Sequence, residues 1–232
     1  MSETLVSMNR MSKSFPTGEG DFVALKNISL GINKGEFTGI VGPSGSGKTT
    51  LLNIIGSLDT QTSGEITVLG KAIDKLSGKE SAELRSRYFG FIFQTYNLLP
   101  VYTVYENVEF PLLLLGMSKQ ERHAAVIRAL EWVGLMDKLK SRPSRLSGGQ
   151  CQRVAIARAM VKQPALVLAD EPTANLDSEN SRHILETMAR LNQDLGTTFI
   201  FSTHDQKVID YLRRIIRLVD GEVVSDDAPQ AR

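Results

Sequence analysis

Eight consecutive residues, Gly42-Pro43-Ser44-Gly45-Ser46-Gly47-Lys48-Thr49, restrict the architecture of this chain more than any other segment. Before them Glu36 to Val41 reads as a short strand. After them Lys48 to Leu58 reads as a helix, with Leu51, Leu52, Ile54 and Ile55 on its apolar face. A strand that enters a glycine-rich turn and leaves as a helix is the setting of a phosphate-binding loop. Glycine permits the backbone conformations that aim successive N–H groups at phosphate oxygens, and the helix N-terminus adds partial positive charge. In this reading Lys48 reaches the β- and γ-phosphates of a nucleoside triphosphate, and the Thr49 hydroxyl holds Mg2+. Gly42, Ser44, Gly45, Ser46, Gly47 and Thr50 complete the cradle.

The rest of the chain alternates strand and helix patterns around that loop. Residues 2–8, 22–32 and 64–70 read as strands, as do 165–169 and 197–203, with a helix predicted over 181–195 between the last two. This alternation implies an α/β protein with a parallel sheet. The segment from about 94 to 160 differs. Its apolar residues, among them Ala125, Ile127, Ala129, Leu130 and Val133, recur at helical spacing, and Pro100, Pro111, Gly116, Gly134 and Pro143 cut it into pieces. It reads as a helical lobe inserted into the core. The tail from Ser225 to Arg232 is small and polar and is expected to fray.

Two further motifs carry chemistry. The apolar run Leu166-Val167-Leu168-Ala169 ends in Asp170-Glu171. In parallel sheets ligands gather beyond the carboxyl ends of strands, so Asp170 is placed to bind Mg2+ and Glu171 to polarise the attacking water. The other motif is Leu146-Ser147-Gly148-Gly149-Gln150. Ser147 and Gln150 have the spacing of a capping box, and a helical run comes after them, so this is a second anion-binding helix end. A nucleotide already wrapped by the first loop has no need of a second such end from the same chain. The economical arrangement has each chain's second motif meet the nucleotide of a partner copy.

Bulk properties exclude other classes. The 232 residues include 27 Lys and Arg against 26 Asp and Glu, a net charge of +1, which gives no basic field for nucleic acid. The longest greasy run, Phe110 to Leu115, is far shorter than the ~20 residues a spanning helix needs, so membrane work falls to a separate partner. The one cysteine, Cys151, excludes an internal disulfide and a cysteine-built metal site. At a helix N-terminus its thiolate could gain reactivity.

Taken in order along almost the whole chain, these motifs resemble those of ATP-binding-cassette ATPases. Gly42 to Thr49 resembles Walker A, Leu166 to Glu171 resembles Walker B, and Leu146 to Gln150 resembles the family signature. The resemblance implies a single domain over residues 1–232 with a RecA-like P-loop NTPase core, an antiparallel β subdomain and a helical subdomain. It implies that Gln94 is the Q-loop glutamine, contacting Mg2+ and water. It likewise implies that Ala174-Asn175-Leu176-Asp177 is the D-loop at a dimer interface, that His204 is the switch histidine at the γ-phosphate, and that Phe15 stacks on adenine. Ser147, Gly148, Gly149 and Gln150 would then meet the ATP of the partner copy.

The stretch Phe89 to Leu99, with Glu106-Asn107-Val108, resembles the branch serving macrolide exporters and lipoprotein-release complexes. Resemblance to that branch implies an ATP-bound homodimer peripheral to the cytoplasmic face of the inner membrane, driving an integral permease. Ala174 stands where that branch has glycine, which stiffens the D-loop. Tyr96, Leu98, Leu99, Tyr102 and Tyr105 form an apolar stretch expected to divide between lobe core and a docking groove for the permease. His123 and His183 are expected at the surface. A chromosome-type head domain is disfavoured, because no sustained heptads separate Lys48 from Leu146. A tandem-cassette translation factor is disfavoured because only one set of motifs is present. An ATPase that signals to cell-wall enzymes, without moving a substrate, remains compatible with every motif.

Overall fold

The computed structural model describes residues 3–18 and 20–227. Two long strands, β1 (Thr4–Thr17) and β2 (Gly20–Asn33), form an antiparallel hairpin, and β3 (Phe37–Val41) enters the glycine loop. Helix α1 (Lys48–Ile55) leaves it. Strands β4 (Ser63–Val68) and β5 (Lys71–Ala72) return to the hairpin, followed by helix α2 (Gly78–Tyr88) and strand β6 (Phe89–Ile92). Three helices then come in succession: α3 (Val104–Leu113), α4 (Lys119–Trp132) and α5 (Gly148–Met160). The chain closes with β7 (Leu166–Asp170), α6 (Ser178–Leu195), β8 (Thr198–Thr203), α7 (Gln206–Ile209), β9 (Arg214–Val219) and β10 (Glu222–Asp227).

These strands make two sheets, β2-β1-β4-β5 and β10-β9-β3-β8-β7-β6. The first is antiparallel, and the second is parallel except for the β9–β10 pair. Strand β7 shows how the second sheet organises two cores. Its odd and even residues point to opposite faces. Leu166 and Leu168 pack with α1 and the antiparallel sheet, while Val167 and Ala169 pack with α3 to α6. Both faces are therefore covered, which is why β7 reads as an uninterrupted apolar run. The carboxyl ends of β3, β6, β7 and β8 all open toward the same rim.

Several boundaries differ from expectation. Helix α1 stops at Ile55 because Gly56 caps it and Ser57 turns left-handed at φ 53°. Strand β4 ends at Val68, where Leu69 and Gly70, both at positive φ, turn the chain into β5. Pro111 lies inside α3 and does not end it, since its fixed φ suits a helix and only one N–H bond is lost. Ser225 to Asp227 belong to β10, paired with β9, and do not fray; residues 228–232 lie outside the described residues. Strand β6 is too short to show a period, yet it forms the sheet edge. A side chain on its Gly90 would come within 2.8 Å of the Ala159 carbonyl on α5.

Candidate functional site

The glycine loop is built by close approach. Gly45 and Gly47 hold φ of 81° and 101°, the left-handed region that side chains resist. A Cβ on Gly47 would also meet the Ala24 carbonyl at 2.7 Å. Lys48 is buried, and its Nζ donates to the carbonyls of Gly42 and Pro43, both at 2.8 Å. The cation is thus folded back along the loop. Helix α1 has Gly47 at its N-cap and no side chain bonding its first N–H groups, which leaves those donors for an anion. Ser46 is buried and its Oγ has no partner among the described residues.

Beside this loop lies a cavity of about 330 Å3. Ser44, Gly45, Lys48 and Thr49 line it from one side, and Gln94, Asp170, Glu171 and His204 from the other, with Ala174 and Ser202. Residues far apart in sequence are therefore brought together as anticipated. Thr49 Oγ1 donates to Asp170 Oδ2 at 3.1 Å. Glu171 has a left-handed backbone, φ 45°, held by a bond from its N–H to the Ser202 carbonyl at 2.9 Å. Its carboxylate accepts from the Thr203 hydroxyl at 3.1 Å and from His204 Nδ1 at 2.6 Å. The Glu171 side chain is mostly buried, whereas that of His204 is two-thirds exposed.

The second motif lies outside that cavity. Ser147 caps α5 with both arms of a capping box: its Oγ accepts from the Gln150 N–H at 3.3 Å, and Gln150 Oε1 accepts from the Ser147 N–H at 3.0 Å. A Cβ on Gly149 would collide with the Asn180 side chain of α6, so this glycine already has a packing reason to be there. Asp177 caps α6. The Asn180 backbone N–H, then its side-chain amide, hold the Asp177 carboxyl below the usual range. Asn175 donates to the Gln94 carbonyl at 3.0 Å, joining the segment after β7 to the one after β6.

Phe15 and Thr50 do not line the cavity. Phe15 pairs across the hairpin with Phe22, and Lys13 Nζ sits 4.8 Å from its ring centroid. Cys151 is buried, its thiol pushed up by desolvation, which runs against the enhanced reactivity weighed from its helix position. His123 and His183 are exposed as expected. Sequence reasoning missed Ser202 and Thr203. Ser202 is fully buried, and its Oγ has no partner among the described residues although the residue lines the cavity. Both precede His204 at the end of β8, and that position was the available signal.

The family described as ABC transporter matches residues 25–174, most of the chain and all of the segment from the glycine loop through Asp170-Glu171. The chain belongs to the ABC transporter family. It is the ATP-binding cassette, the P-loop ATPase, of such a system. It is 47% identical to the uncharacterised ABC transporter ATP-binding protein YvrO of Bacillus subtilis, over 96% of this chain and 97% of that protein. It is 46% identical to the macrolide export ATP-binding/permease protein MacB of Burkholderia pseudomallei over 97% of its own length. The cassette spans only 34% of that relative. A dimeric post-hydrolysis structure of the ATP-binding cassette MJ0796, bound to ADP and Pi, superposes with a TM-score of 0.90 at 41% identity. It covers 98% of this chain and 100% of that one.

The cassette carries a second groove, about 280 Å3, on the outer side of β6. Phe89, Phe91, Phe93, Phe110 and Pro111 line it, together with Arg158 and Lys162. Asn97 also lines it, but Tyr96, Leu98, Leu99, Tyr102 and Tyr105, the residues expected to divide between lobe core and a docking groove, do not. Leu98 and Tyr105 pack into the lobe core, and Tyr102 lies beside Phe110 with ring centroids 6.3 Å apart. Among the described residues no helix of the cassette is long and apolar enough to cross a membrane.

Proposed function

We propose that two copies of this cassette close head to tail around two Mg-ATP, and that hydrolysis drives a separate integral permease of the lipoprotein-release or macrolide-export type. One observation carries the reading. A single chain gathers Lys48, Thr49, Gln94, Asp170, Glu171 and His204 around one cavity, yet leaves the capped glycine helix end, Ser147 to Gln150, outside it. The dimeric MJ0796 neighbour supports a paired arrangement, and the MacB name supports the branch. In this reading residues 1–232 form one nucleotide-binding domain, with about 94–160 as its helical subdomain.

The residues present fit Mg2+. The donor set is all oxygen: the Thr49 hydroxyl, an Asp170 carboxylate already in contact with it, and the Gln94 amide, with the unpartnered Ser202 hydroxyl in the same cavity. Mg2+ takes few protein carboxylates and shares its shell with phosphates and water. When bound it neutralises charge on the β- and γ-phosphoryl oxygens. Lys48 exchanges its two carbonyl partners for phosphate oxygens, and the uncapped N–H groups of α1 receive the same anion. Phe15 stacks on adenine.

Glu171 orients the attacking water and takes its proton. His204 and Thr203 hold the Glu171 carboxylate in place. From the partner copy, the Ser147 hydroxyl and the Gly149 N–H close on the γ-phosphate, and Asp177 lies across the interface. The aromatic groove at β6 receives an apolar segment of the permease, which seats the cassette on the cytoplasmic face of the membrane.

Replacing Glu171 by Gln tests the core of this reading. The variant should bind ATP, lose hydrolysis by about 10²- to 10⁴-fold, and accumulate as a dimer by light scattering. A variant that stays monomeric at saturating Mg-ATP overturns the paired site.

A further inference from the structure

Gln94 reaches the cavity from a turn with an unusual backbone. Tyr96 and Asn97 both lie at positive φ, 60° and 49°, a strained conformation for two successive residues with side chains. Their carbonyls face helix α5. There the Arg158 guanidinium donates to both, from one terminal nitrogen to Tyr96 O at 2.7 Å and from the other to Asn97 O at 2.5 Å. Arg158 is half-buried, and desolvation pulls its pKa below the ordinary arginine value. Among the described residues it forms no ion pair with a carboxylate. A partly buried cation gains from keeping both bonds, and the planar fork of arginine suits two neighbouring acceptors.

The same turn touches α5 a second time. A Cβ on Gly148, in the first turn of that helix, would sit 3.0 Å from the Tyr96 hydroxyl. Tyr96 thus meets α5 near its start through the side chain and near its end through the carbonyl. From the other direction Asn175 holds the Gln94 carbonyl at 3.0 Å.

We propose that Arg158 is a positioning residue for Gln94: by clamping the Tyr96 and Asn97 carbonyls it fixes the turn that aims Gln94 at the cavity, and ties that turn to the helix that begins at Ser147. The proposal rests on the reading of Gln94 as a contact to metal and water. It gives α5 two duties, one at each end. A shift of the helix when a partner copy engages its N-terminus is carried to Gln94 through Arg158.

A double-mutant cycle on the full chain tests it, with kcat, the KM for ATP and the half-saturating Mg2+ concentration as readouts. Arg158→Met should lower kcat about tenfold and raise the half-saturating Mg2+ about fivefold, with KM changed less than about twofold. In a Gln94→Ala background the same change should cost less than about twofold, because its target is gone. Arg158→Lys, which keeps the charge but not the fork, should recover part of the loss, and it carries the cycle if the methionine variant does not fold. An equal loss from Arg158→Met in both backgrounds overturns the proposal while leaving Gln94 in its role. So does a fall in Tm with kcat and KM shifted together and Mg2+ dependence unmoved. Unchanged kcat and Mg2+ dependence in Gln94→Ala alone retires the reading of Gln94, and the positioning role with it.

Discussion

Helices α1 and α5 both start in glycine-rich segments, and their first turns are finished in different ways. At α1 the N-cap is Gly47, left-handed and without a side-chain bond, and the adjacent Lys48 ammonium donates to the Gly42 and Pro43 carbonyls. At α5 the N-cap is Ser147, and a complete capping box with Gln150 satisfies both reciprocal donors. One helix end is left hungry for an anion and opens on the cavity. The other has two of its backbone N–H groups, those of Ser147 and Gln150, satisfied by its own side chains, and it stands apart from that cavity. Two similar glycine-rich sequences are therefore finished differently in the single chain: the first lines the cavity without a side-chain cap, and the second is a capped helix start outside it, which the proposed function assigns to the nucleotide of a partner copy.

The largest effect that can break this contrast lies at α1. Lys48→Ala should weaken ATP binding to the dilute chain by about 10- to 100-fold, the loss of a charge-assisted contact, measured by equilibrium titration. Ser147→Ala should leave that single-chain affinity within about twofold. It should cost about 1 kcal/mol of stability through the lost cap, a Tm lower by about 2–4 °C for a chain of this size, and impair ATP-driven dimerisation. If Ser147→Ala weakened binding to the dilute chain as much as Lys48→Ala does, α5 would reach its own chain's nucleotide and the contrast would fail.

The smallest effect sharpens the comparison at the far ends of the two helices. Helix α1 ends on Gly56, whereas just past α5 Lys162 donates Nζ to the carbonyls of Arg85 and Ser86, near the end of α2. Burial pulls the Lys162 pKa down to about 8, below its value of about 10.4 in an unfolded chain. Between those values the unfolded chain binds more protons, so this group makes stability rise with pH across that window. Below pH 8 its burial penalty is present in full. The difference in Tm between the parent and Lys162→Met should therefore change in favour of the parent from pH 8 to pH 10. A pH-independent difference would mean that Lys162 keeps an ordinary pKa.

The central features of the candidate site were legible because they depend on local rules. Strand, glycine loop and helix must be contiguous to bind phosphate, so Gly42 to Thr49 could be read directly. Asp170 and Glu171 stood out because two acids end a fully apolar strand. The capping box at Ser147 and Gln150 is a four-residue device, and it formed as read. Other parts were hidden because no local pattern encodes them. Strand β6 has four residues and no measurable period, and β9 and β10 are held by sheet partners, of which β3 is distant in sequence. Tyr96, Leu98, Leu99, Tyr102 and Tyr105 look alike as apolar residues, yet packing sends Leu98 and Tyr105 inward, while the groove is lined mainly by Phe89, Phe91, Phe93, Phe110 and Pro111. The Ser202 hydroxyl was invisible because an isolated serine in a strand carries no signal of what it faces.

By itself the sequence determined the strand, glycine loop and helix that form a phosphate cradle, the acid pair at the end of an apolar strand, and a second glycine-rich helix start with its own cap. These depend on spacing along a few residues, where covalent connection fixes geometry. Only the tertiary structure decided which side chains share a cavity and which do not. It put Gln94, Glu171 and His204 opposite Lys48, kept Ser147 to Gln150 outside, and laid Arg158 across the turn behind Gln94. Those outcomes depend on how the two cores stack the sheet against its helices, a property of many weak contacts at long separation that no short motif contains.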